Sequence, residues 1–173
     1  IQSHQHQGYW GLEKLQAVLE RFSHFGLPIH FTENTLISGD LMPAHIVDLN
    51  DWQVPEWPTT PEGEERQARE AAEMYTELFA HPLVEGITTW DPGDGAWLGA
   101  PSGLMRKDSS LKPIYHKLHS LIHDEWKTDV TLKTDEHGYV TLNGYKGHYE
   151  AMANGMKAEF KLSDATEQKI ILG

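Results

Sequence analysis

One carboxylate, Glu33, stands where a predicted buried strand gives way to a polar loop. In the segment LPIHFTENTL, Ile29 and Phe31 point to one side of that strand and His30 points to the other. A carboxylate in this place is either a solvated turn residue or the working group of a site at the mouth of a barrel. Active sites of βα barrels gather at the carboxyl ends of the strands, which makes Glu33 a candidate for catalysis.

A second candidate cluster is the segment QSHQHQGYW near the start of the chain. A strand here would carry Gln2 and His4 on one face, with His6, Tyr9 and Trp10 beyond it. Such a group supplies hydrogen-bond donors and an aromatic platform, so Gln2, His4 and Trp10 are candidate ligand contacts. The alternative is an exposed polar turn with a packed tryptophan.

The third cluster is TTWDPGDGAWLGAPSG, in which Trp90 and Trp97 surround Asp91 and Asp94. It also follows a predicted strand. A sugar ring needs an aromatic face for its C–H groups and acceptors for its hydroxyl groups, and this segment offers both. The alternative is two core tryptophans beside a turn, but three such clusters at successive strand ends reinforce one another.

Helices and strands alternate in the first 126 residues. Apolar residues at three- and four-residue spacing predict the helices, and short apolar runs predict the strands. The predicted order is a clipped strand at 1–4, a helix at 11–25, a strand at 28–33, a helix that follows the N-cap Thr60, a strand at 84–91 and a helix at 111–126. Such alternation implies parallel strands with right-handed crossovers. A long polar segment, 34–60, interrupts the pattern and is expected to shape one rim of a cleft.

The pattern changes near Lys127. From there apolar and polar residues alternate, with turn signals at 136–138, 143–144 and 154–155. We therefore predict two domains: residues 1–127 form an α/β domain, and residues 128–173 form a small antiparallel β module.

Composition narrows the classes of partner. The chain has 173 residues, 39% of them hydrophobic, and a formal net charge of −12. That charge argues against nucleic acid and against anionic membrane surfaces, and leaves neutral polymers as candidate ligands. No run of about 18 apolar residues is present, so no membrane span is predicted. The chain starts at Ile1, which is typical of a strand interior, so we expect it to be a piece of a longer protein.

No metal site and no cofactor are predicted. The chain contains no Cys, which excludes disulfides and Cys-based zinc sites. One face of the last predicted helix carries three histidines, His116, His119 and His123. Three histidines are enough protein ligands for a zinc ion. That face lies opposite the apolar stripe, which favours a solvated face.

The candidate residues occur in an order that resembles glycoside hydrolase family 10, the endo-β-1,4-xylanases. The segments that carry the resemblance are Gln2-Ser3-His4, Thr32-Glu33 after LPIHF, GITTWD with Trp97, and SLKPIYHKL. They match the last three strands of that family over residues 1 to about 126. The resemblance implies the C-terminal part of a TIM (β/α)8 barrel, about three βα units, acting on xylan outside the cell.

Roles follow from the resemblance position by position. It implies that Glu33 is the catalytic nucleophile, that His4 with Gln2 orients it, and that Trp90 and Trp97 wall the site. The sequence departs from the family's Thr-Glu-Leu-Asp pattern at residues 34 and 35, which are Asn and Thr. It also has Leu at 98, where the family has Arg after the second Trp.

The resemblance also implies that parts are missing. The family's acid/base Glu lies on strand four in a Trp-x-x-x-Asn-Glu context, and no such segment occurs here. Three strands cannot close an eight-stranded barrel. We therefore expect the N-terminal remainder of the barrel as a partner, and no normal xylan hydrolysis by residues 1–173 alone. The tail, with GYVTLNGYKGHYEAMA, resembles the small β-sandwich modules appended to such enzymes.

Two alternatives stay open. The chain is a non-catalytic carbohydrate-binding or packing module that uses Trp52, Trp57, Trp90 and Trp97 as sugar platforms, or it belongs to another barrel glycosidase with a different sugar preference. Labelling of Glu33 by a substrate that needs no acid catalyst would distinguish the enzyme from the module.

Overall fold

The computed structural model describes residues 1–163 and 169–171 of the 173-residue chain. The chain divides into two compact units, Ile1–Leu121 and Ile122–Gly173. The domain boundary near Lys127 stays a prediction. Residues 164–168, 172 and 173 of the predicted β module lie outside the described residues. None of the helices in the described ranges has the length and hydropathy that a membrane-spanning helix requires.

The first unit is built on a parallel three-stranded sheet with the strand order β1-β2-β3. Both strand pairs are parallel, as the alternation of strands and helices predicts. Its elements are β1 (Gln2–Gln5), α1 (Gly11–Ser23), β2 (Ile29–Leu36), α2 (Pro61–Ala80), β3 (Val84–Thr89) and α3 (Pro113–Ser120).

Helix α2 begins as its sequence predicts. The side chain of Thr60 accepts a hydrogen bond from the backbone N–H of Gly63, and Pro61 occupies the first turn, where its missing N–H costs nothing. Acidic residues in that turn, Glu62 and Glu64, suit the positive end of the helix dipole.

The apolar faces of the helices pack on the sheet and form the core of this unit. Fully buried members include Leu15 and Leu19 from α1, Phe31 from β2, and Met74 and Leu78 from α2. On α2, Ala68, Ala71, Tyr75 and Leu78 recur at three- and four-residue spacing and are buried, whereas Ala72 is only half-buried and Phe79 is exposed. Two polar residues of α2, Glu64 and Gln67, are also buried: Arg106 donates to the Glu64 carboxylate, and Gln67 donates to the Leu36 carbonyl at the end of β2.

The last helix is shorter than predicted. Helix α3 ends at Ser120, and a π-helical turn, Leu121–Glu125, replaces the regular helix predicted to reach Trp126. Leu121, the first residue of this turn, is buried, whereas Ile122 is exposed. Hydrogen bonds in a π-helical turn span five residues rather than four, so regular α-helical spacing does not hold there.

Strand β2 is longer than predicted, and Glu33 lies inside it. The strand continues to Leu36 because Ser3, His4 and Gln5 of β1 pair with residues 34 to 36. Placing Glu33 at the end of its strand was therefore wrong, and the long connection starts at Ile37 rather than at Asn34.

The described part of the second unit contains one antiparallel hairpin. Its strands are β4 (Gly147–Ala153) and β5 (Met156–Leu162), joined at Asn154-Gly155 as predicted. Both turn residues have positive φ, which suits a two-residue hairpin turn. Tyr149 and Phe160 stack across the pair with ring centroids 5.4 Å apart. The sandwich-like module stays a prediction.

Candidate functional site

The register of β1 on β2 brings the first two sequence clusters together. Gln2 pairs with Glu33, and His4 pairs with Thr35. Because side chains alternate along a strand, Glu33 and Thr35 project from one face of β2, and Gln2 and His4 project from the corresponding face of β1. Four polar side chains therefore meet on one face of the sheet.

Both carboxylate oxygens of Glu33 have a nitrogen partner. The Nε2 amide of Gln2 donates to Oε1 at 2.7 Å, and Nε2 of His4 lies 3.0 Å from Oε2. The side chains of Glu33 and His4 are each 21% exposed, so the carboxylate is held on two sides and still reaches solvent. This geometry suits an ionised carboxylate that must keep one orientation while a ligand approaches it.

The second ring nitrogen of His4 faces Thr35. Nδ1 of His4 lies 3.3 Å from Oγ1 of Thr35, which is almost fully buried. One arrangement satisfies the set with a neutral imidazole: Nε2–H donates to Glu33, and the Thr35 hydroxyl donates to Nδ1. Thr35 is thus the residue that can fix the tautomer of His4.

Trp97 and Trp90 contact the same histidine in different ways. The ring of Trp97 stacks on His4 with centroids 4.5 Å apart, whereas Trp90 meets His4 edge-on at 6.1 Å. Trp97 also packs against His6, with centroids 4.6 Å apart. Trp90 is 44% exposed. Imidazoles therefore already use part of the surface of Trp97, and Trp90 offers the freer face to a ligand.

His6 belongs to the site, although it was not among the site residues chosen from the sequence. It is buried against Trp97 and lies 5.9 Å from the His4 ring. Burial, together with repulsion from His4, lowers the pKa of His6 to about 4, so the ring is neutral at pH 7. The available signal was the two-residue step from Gln2 to His4 to His6, which continues one face beyond the strand.

Asn34 and Asp91, which follow Glu33 and Trp90 in sequence, each make hydrogen bonds to neighbouring segments. The Ser3 hydroxyl donates to Oδ1 of Asn34, and Nδ2 of Asn34 donates to the Thr88 carbonyl at 2.9 Å. Asn34 therefore ties β2 to both neighbouring strands. Burial raises the pKa of Asp91, which accepts a 3.2 Å bond from the Ser102 hydroxyl.

A buried lysine holds the loop that carries Trp97. Lys112 is fully buried, and its ammonium donates to Asp94, Ser38 and the Gly103 carbonyl at 2.8 to 2.9 Å. Burial lowers the pKa of Lys112, although the Asp94 carboxylate opposes that shift. Asp94 also accepts from the Gly103 N–H at 2.9 Å. Asp94, predicted as a sugar acceptor candidate beside the tryptophans, is instead engaged inside this loop.

The other predicted tryptophans occupy different places. Trp10 lies just before α1, beside Lys14, and lines a pocket of about 450 Å³ with His4; its contact with sugar stays a prediction. Trp57 is buried with Met42 and Ile37, and its indole N–H donates to the Asp40 carbonyl at 2.8 Å. The expectation that Trp57 offers a sugar platform is therefore wrong, because its ring packs inside the connection between β2 and α2.

No metal centre was found among the described residues: no group of three or more His, Asp or Glu side chains there is placed to hold an ion. His116, His119 and His123 are exposed, as expected for a solvated face.

Sequence comparison gives one significant relative and no family. No protein-family model matches the chain. The anti-sigma-I factor RsgI6 of Acetivibrio thermocellus is 28% identical over 127 residues, which is 73% of this chain and 16% of that protein.

Structure comparison points to xylanases. A GH10 endoxylanase retrieved from a sugarcane soil metagenome matches with a TM-score of 0.52 and 19% identity, over 69% of this chain and 40% of that one. A thermostable mutant of the Cellvibrio japonicus xylanase Xyn10A matches with a TM-score of 0.51 and 18% identity, over 68% and 37%. Xylanase 10B of Thermotoga maritima matches with a TM-score of 0.50 and 18% identity, over 72% and 35%.

The chain thus has a fold like that of part of a GH10 xylanase barrel. It spans 35–40% of the three solved xylanases and 16% of the curated relative. At 18–19% identity the likeness to these xylanases establishes the fold alone.

Proposed function

We propose that the chain contributes the nucleophile half of the active centre of a retaining β-1,4-glycosidase of the xylanase type. The observation that carries this proposal is the Glu33 carboxylate, whose two oxygens face Nε2 of Gln2 at 2.7 Å and Nε2 of His4 at 3.0 Å. A fold like that of part of a xylanase barrel supports the same chemistry, with Glu33 in the C-terminal half of β2.

In this reaction Glu33 acts as the nucleophile. Its carboxylate oxygen forms a bond to the anomeric carbon while the bond from that carbon to the leaving oxygen breaks. Gln2 and His4 keep the carboxylate in the attacking orientation and bind it more strongly when it is ionised. Water later displaces Glu33 from the sugar and restores the carboxylate.

A second carboxyl group must protonate the leaving oxygen, at about 5–5.5 Å from the nucleophile in retaining enzymes. We assign that group to the strands of an eight-stranded barrel that are not among these three. On this proposal the partners of the chain are the remainder of the barrel and a β-1,4-linked polysaccharide such as xylan. A polymeric substrate of this kind also favours a site of action outside the cell, and the chemistry requires no cofactor.

The test is covalent labelling of Glu33 by a substrate that needs no acid catalyst. A 2-deoxy-2-fluoroxylobioside with a dinitrophenolate leaving group should add one fluoroxylobiosyl group to the chain, located on Glu33 by peptide mass spectrometry. Glu33→Gln should abolish labelling, whereas Glu85→Gln, which neutralises an exposed carboxylate on β3, should label at the wild-type rate. Labelling of other carboxylates, or none in a chain that still binds xylo-oligosaccharide, would refute the assignment.

A second candidate is a non-catalytic carbohydrate-binding domain. One observation favours it: the sequence relative is called an anti-sigma-I factor rather than an enzyme. Exposed Trp90 would then be the sugar platform. Binding of xylo-oligosaccharides without any labelling of Glu33 would establish this function in place of the first.

A further inference from the structure

Strand β2 carries one residue more than its partner β3 at the position of Glu33. Phe31 of β2 pairs with Ile87 of β3. The next aligned pair is Asn34 with Thr89, so three steps along β2 match two steps along β3. The two residues in between, one of which is Glu33, therefore lie opposite a single residue, as in a β-bulge. Bulges occur beside active sites, where they change the direction of a side chain.

Contacts of β1 identify which face of the sheet packs on the helices. The side-chain amide of Gln5 lies 3.4 Å from Sδ of Met74 on α2, and both residues are buried. Ser3, two positions earlier, is fully buried and shares that face of β1. The Ser3 hydroxyl donates to Oδ1 of Asn34. Asn34 therefore lies on the helix face of β2.

The bulge reverses the alternation of side chains along β2. Before the bulge, Phe31 is fully buried, whereas its neighbours His30 and Thr32 are exposed. Strict alternation would put Glu33 on the buried face of Phe31 and Asn34 on the other face. The structure shows the reverse, because one extra residue exchanges the faces as a one-residue slip does. Glu33 reaches its two nitrogen partners on β1 because the bulge turns it away from the core.

The side chain of Asn34 spans this bulge. Its Nδ2 donates to the Thr88 carbonyl at 2.9 Å and to the Phe31 carbonyl at 3.4 Å. Thr88 is the residue of β3 that faces the bulge, and Phe31 is the last paired residue before it. With the bond from Ser3, one side chain that is 6% exposed contacts all three strands where β2 departs from regular pairing.

We propose that Asn34 is a positioning residue for the reaction at Glu33. Its side-chain amide fixes the bulge in place, and the fixed bulge holds the Glu33 carboxylate against Gln2 and His4. A bulge that moved along β2 would return Glu33 toward the core face. The inference rests on the proposed function, because the orientation of Glu33 sets a rate only if Glu33 attacks the sugar.

The test is the kinetics with which the 2-deoxy-2-fluoroxylobioside, with its dinitrophenolate leaving group, labels the full chain. Asn34→Val removes the amide and keeps a side chain that suits a strand. The limiting rate at saturating probe should fall about tenfold, as for one lost hydrogen bond. The probe concentration that gives half of that rate should change by less than about twofold, because Asn34 lies on the helix face and does not reach the ligand.

The matched control is Gln67→Met. Gln67 is another fully buried amide that donates to a carbonyl of β2, that of Leu36 at 2.7 Å, beyond the bulge. Each substitution replaces a buried amide with an apolar side chain, so both variants should lose stability in thermal unfolding. Only Asn34→Val should slow the labelling of Glu33.

Asn34→Asp provides a rescue, and it also serves if Asn34→Val does not fold. Its side chain has nearly the same volume as that of Asn, but it can donate to the Thr88 carbonyl only when protonated. The labelling rate relative to wild type should therefore be near one at about pH 5 and lower at about pH 9. Taking the ratio at each pH removes the pH dependence that the two proteins share.

Three results would overturn the proposal and leave the proposed function intact. A wild-type limiting rate in Asn34→Val would refute it directly. Equal slowing in Asn34→Val and Gln67→Met would reduce Asn34 to a structural role. A low ratio for Asn34→Asp at about pH 5 would show that the bond donated to Thr88 does not position Glu33. Absence of labelling in the wild type would refute the proposed function and this inference together.

Discussion

Nε2 of His4 lies 3.0 Å from Oε2 of Glu33, across two parallel strands that are joined in register. The two residues are 29 positions apart in sequence. Their approach depends on the pairing of Gln2 with Glu33 in that register, and a slip of one residue would turn one of the two side chains to the other face of the sheet. The chemistry proposed for Glu33 therefore depends on the pairing of β1 with β2.

Thr35→Val should reduce the orientation of His4 without creating a cavity, because the two side chains are nearly equal in volume and Thr35 is almost fully buried. Loss of the hydroxyl leaves Nδ1 of His4 without the partner it has at 3.3 Å. We expect a change in the ¹⁵N shifts of the His4 ring and labelling of Glu33 that is about tenfold slower, as for one lost hydrogen bond.

The control is Thr32→Val, which removes an exposed hydroxyl from the same strand. It should leave both the ring shifts and the labelling rate unchanged. Wild-type ¹⁵N shifts in Thr35→Val would show that the Thr35 hydroxyl does not set the tautomer.

Trp90→Ala and Trp97→Ala should separate ligand binding from positioning. Trp97 packs on His4 and His6, so its removal should lower the free energy of unfolding by about 1–3 kcal/mol and slow the labelling of Glu33. Trp90 is 44% exposed, so its removal should change stability by less than about 0.5 kcal/mol while weakening the binding of xylo-oligosaccharide. Urea unfolding measures the change in stability, and calorimetry measures the binding of xylo-oligosaccharide. A large loss of stability in Trp90→Ala with weakened binding only in Trp97→Ala would refute the roles given to the two rings.

His6 should make the protein less stable in acid. Its pKa falls from 6.5 to about 4 in the folded protein, so between these values the unfolded chain binds more protons than the folded one. Above pH 6.5 His6 is neutral in both states and does not affect the pH dependence of stability. As the pH falls from 6.5 toward 4, the free energy of unfolding decreases by up to about 3 kcal/mol in all.

The measurement is urea unfolding of the wild type and of His6→Gln at several pH values. The difference in unfolding free energy between the two proteins should change across pH 6.5 to 4 and stay constant outside that window. A difference that is constant from pH 7.5 to pH 4 would contradict the lowered pKa of His6.

Lys112→Met should be strongly destabilising, because it leaves the buried Asp94 carboxylate without its cation. Loss of one partner from a buried ion pair costs about 3–5 kcal/mol. The double variant Lys112→Met, Asp94→Asn should recover part of this loss, since the amide keeps an acceptor for the Gly103 N–H and carries no charge. Lys107→Met, a change on an exposed lysine of the same loop, is the control, and thermal unfolding distinguishes all three. Equal losses in the single and double variants would show that the unpaired charge is not the cause.

The sequence by itself determined the elements of the first unit and their order. Apolar spacing and capping signals such as Thr60-Pro61 are local, so they predicted α1, the start of α2 and the parallel strands. The same patterns singled out Gln2, His4, Glu33 and the two tryptophans after β3, because residue type and approximate position relative to a strand can be read without coordinates, although the end of β2 could not.

Only the tertiary structure decided how long β2 is and what each site residue contacts. The extension of β2 to Leu36 depends on β1, a partner distant in sequence, and no local pattern contains that pairing. The stacking of Trp97 on His4, the burial of Trp57 and the engagement of Asp94 with Lys112 are likewise contacts between distant segments. The physical reason is common to all: local spacing sets which way a side chain points along its own element, and the packing of other elements sets what it meets there.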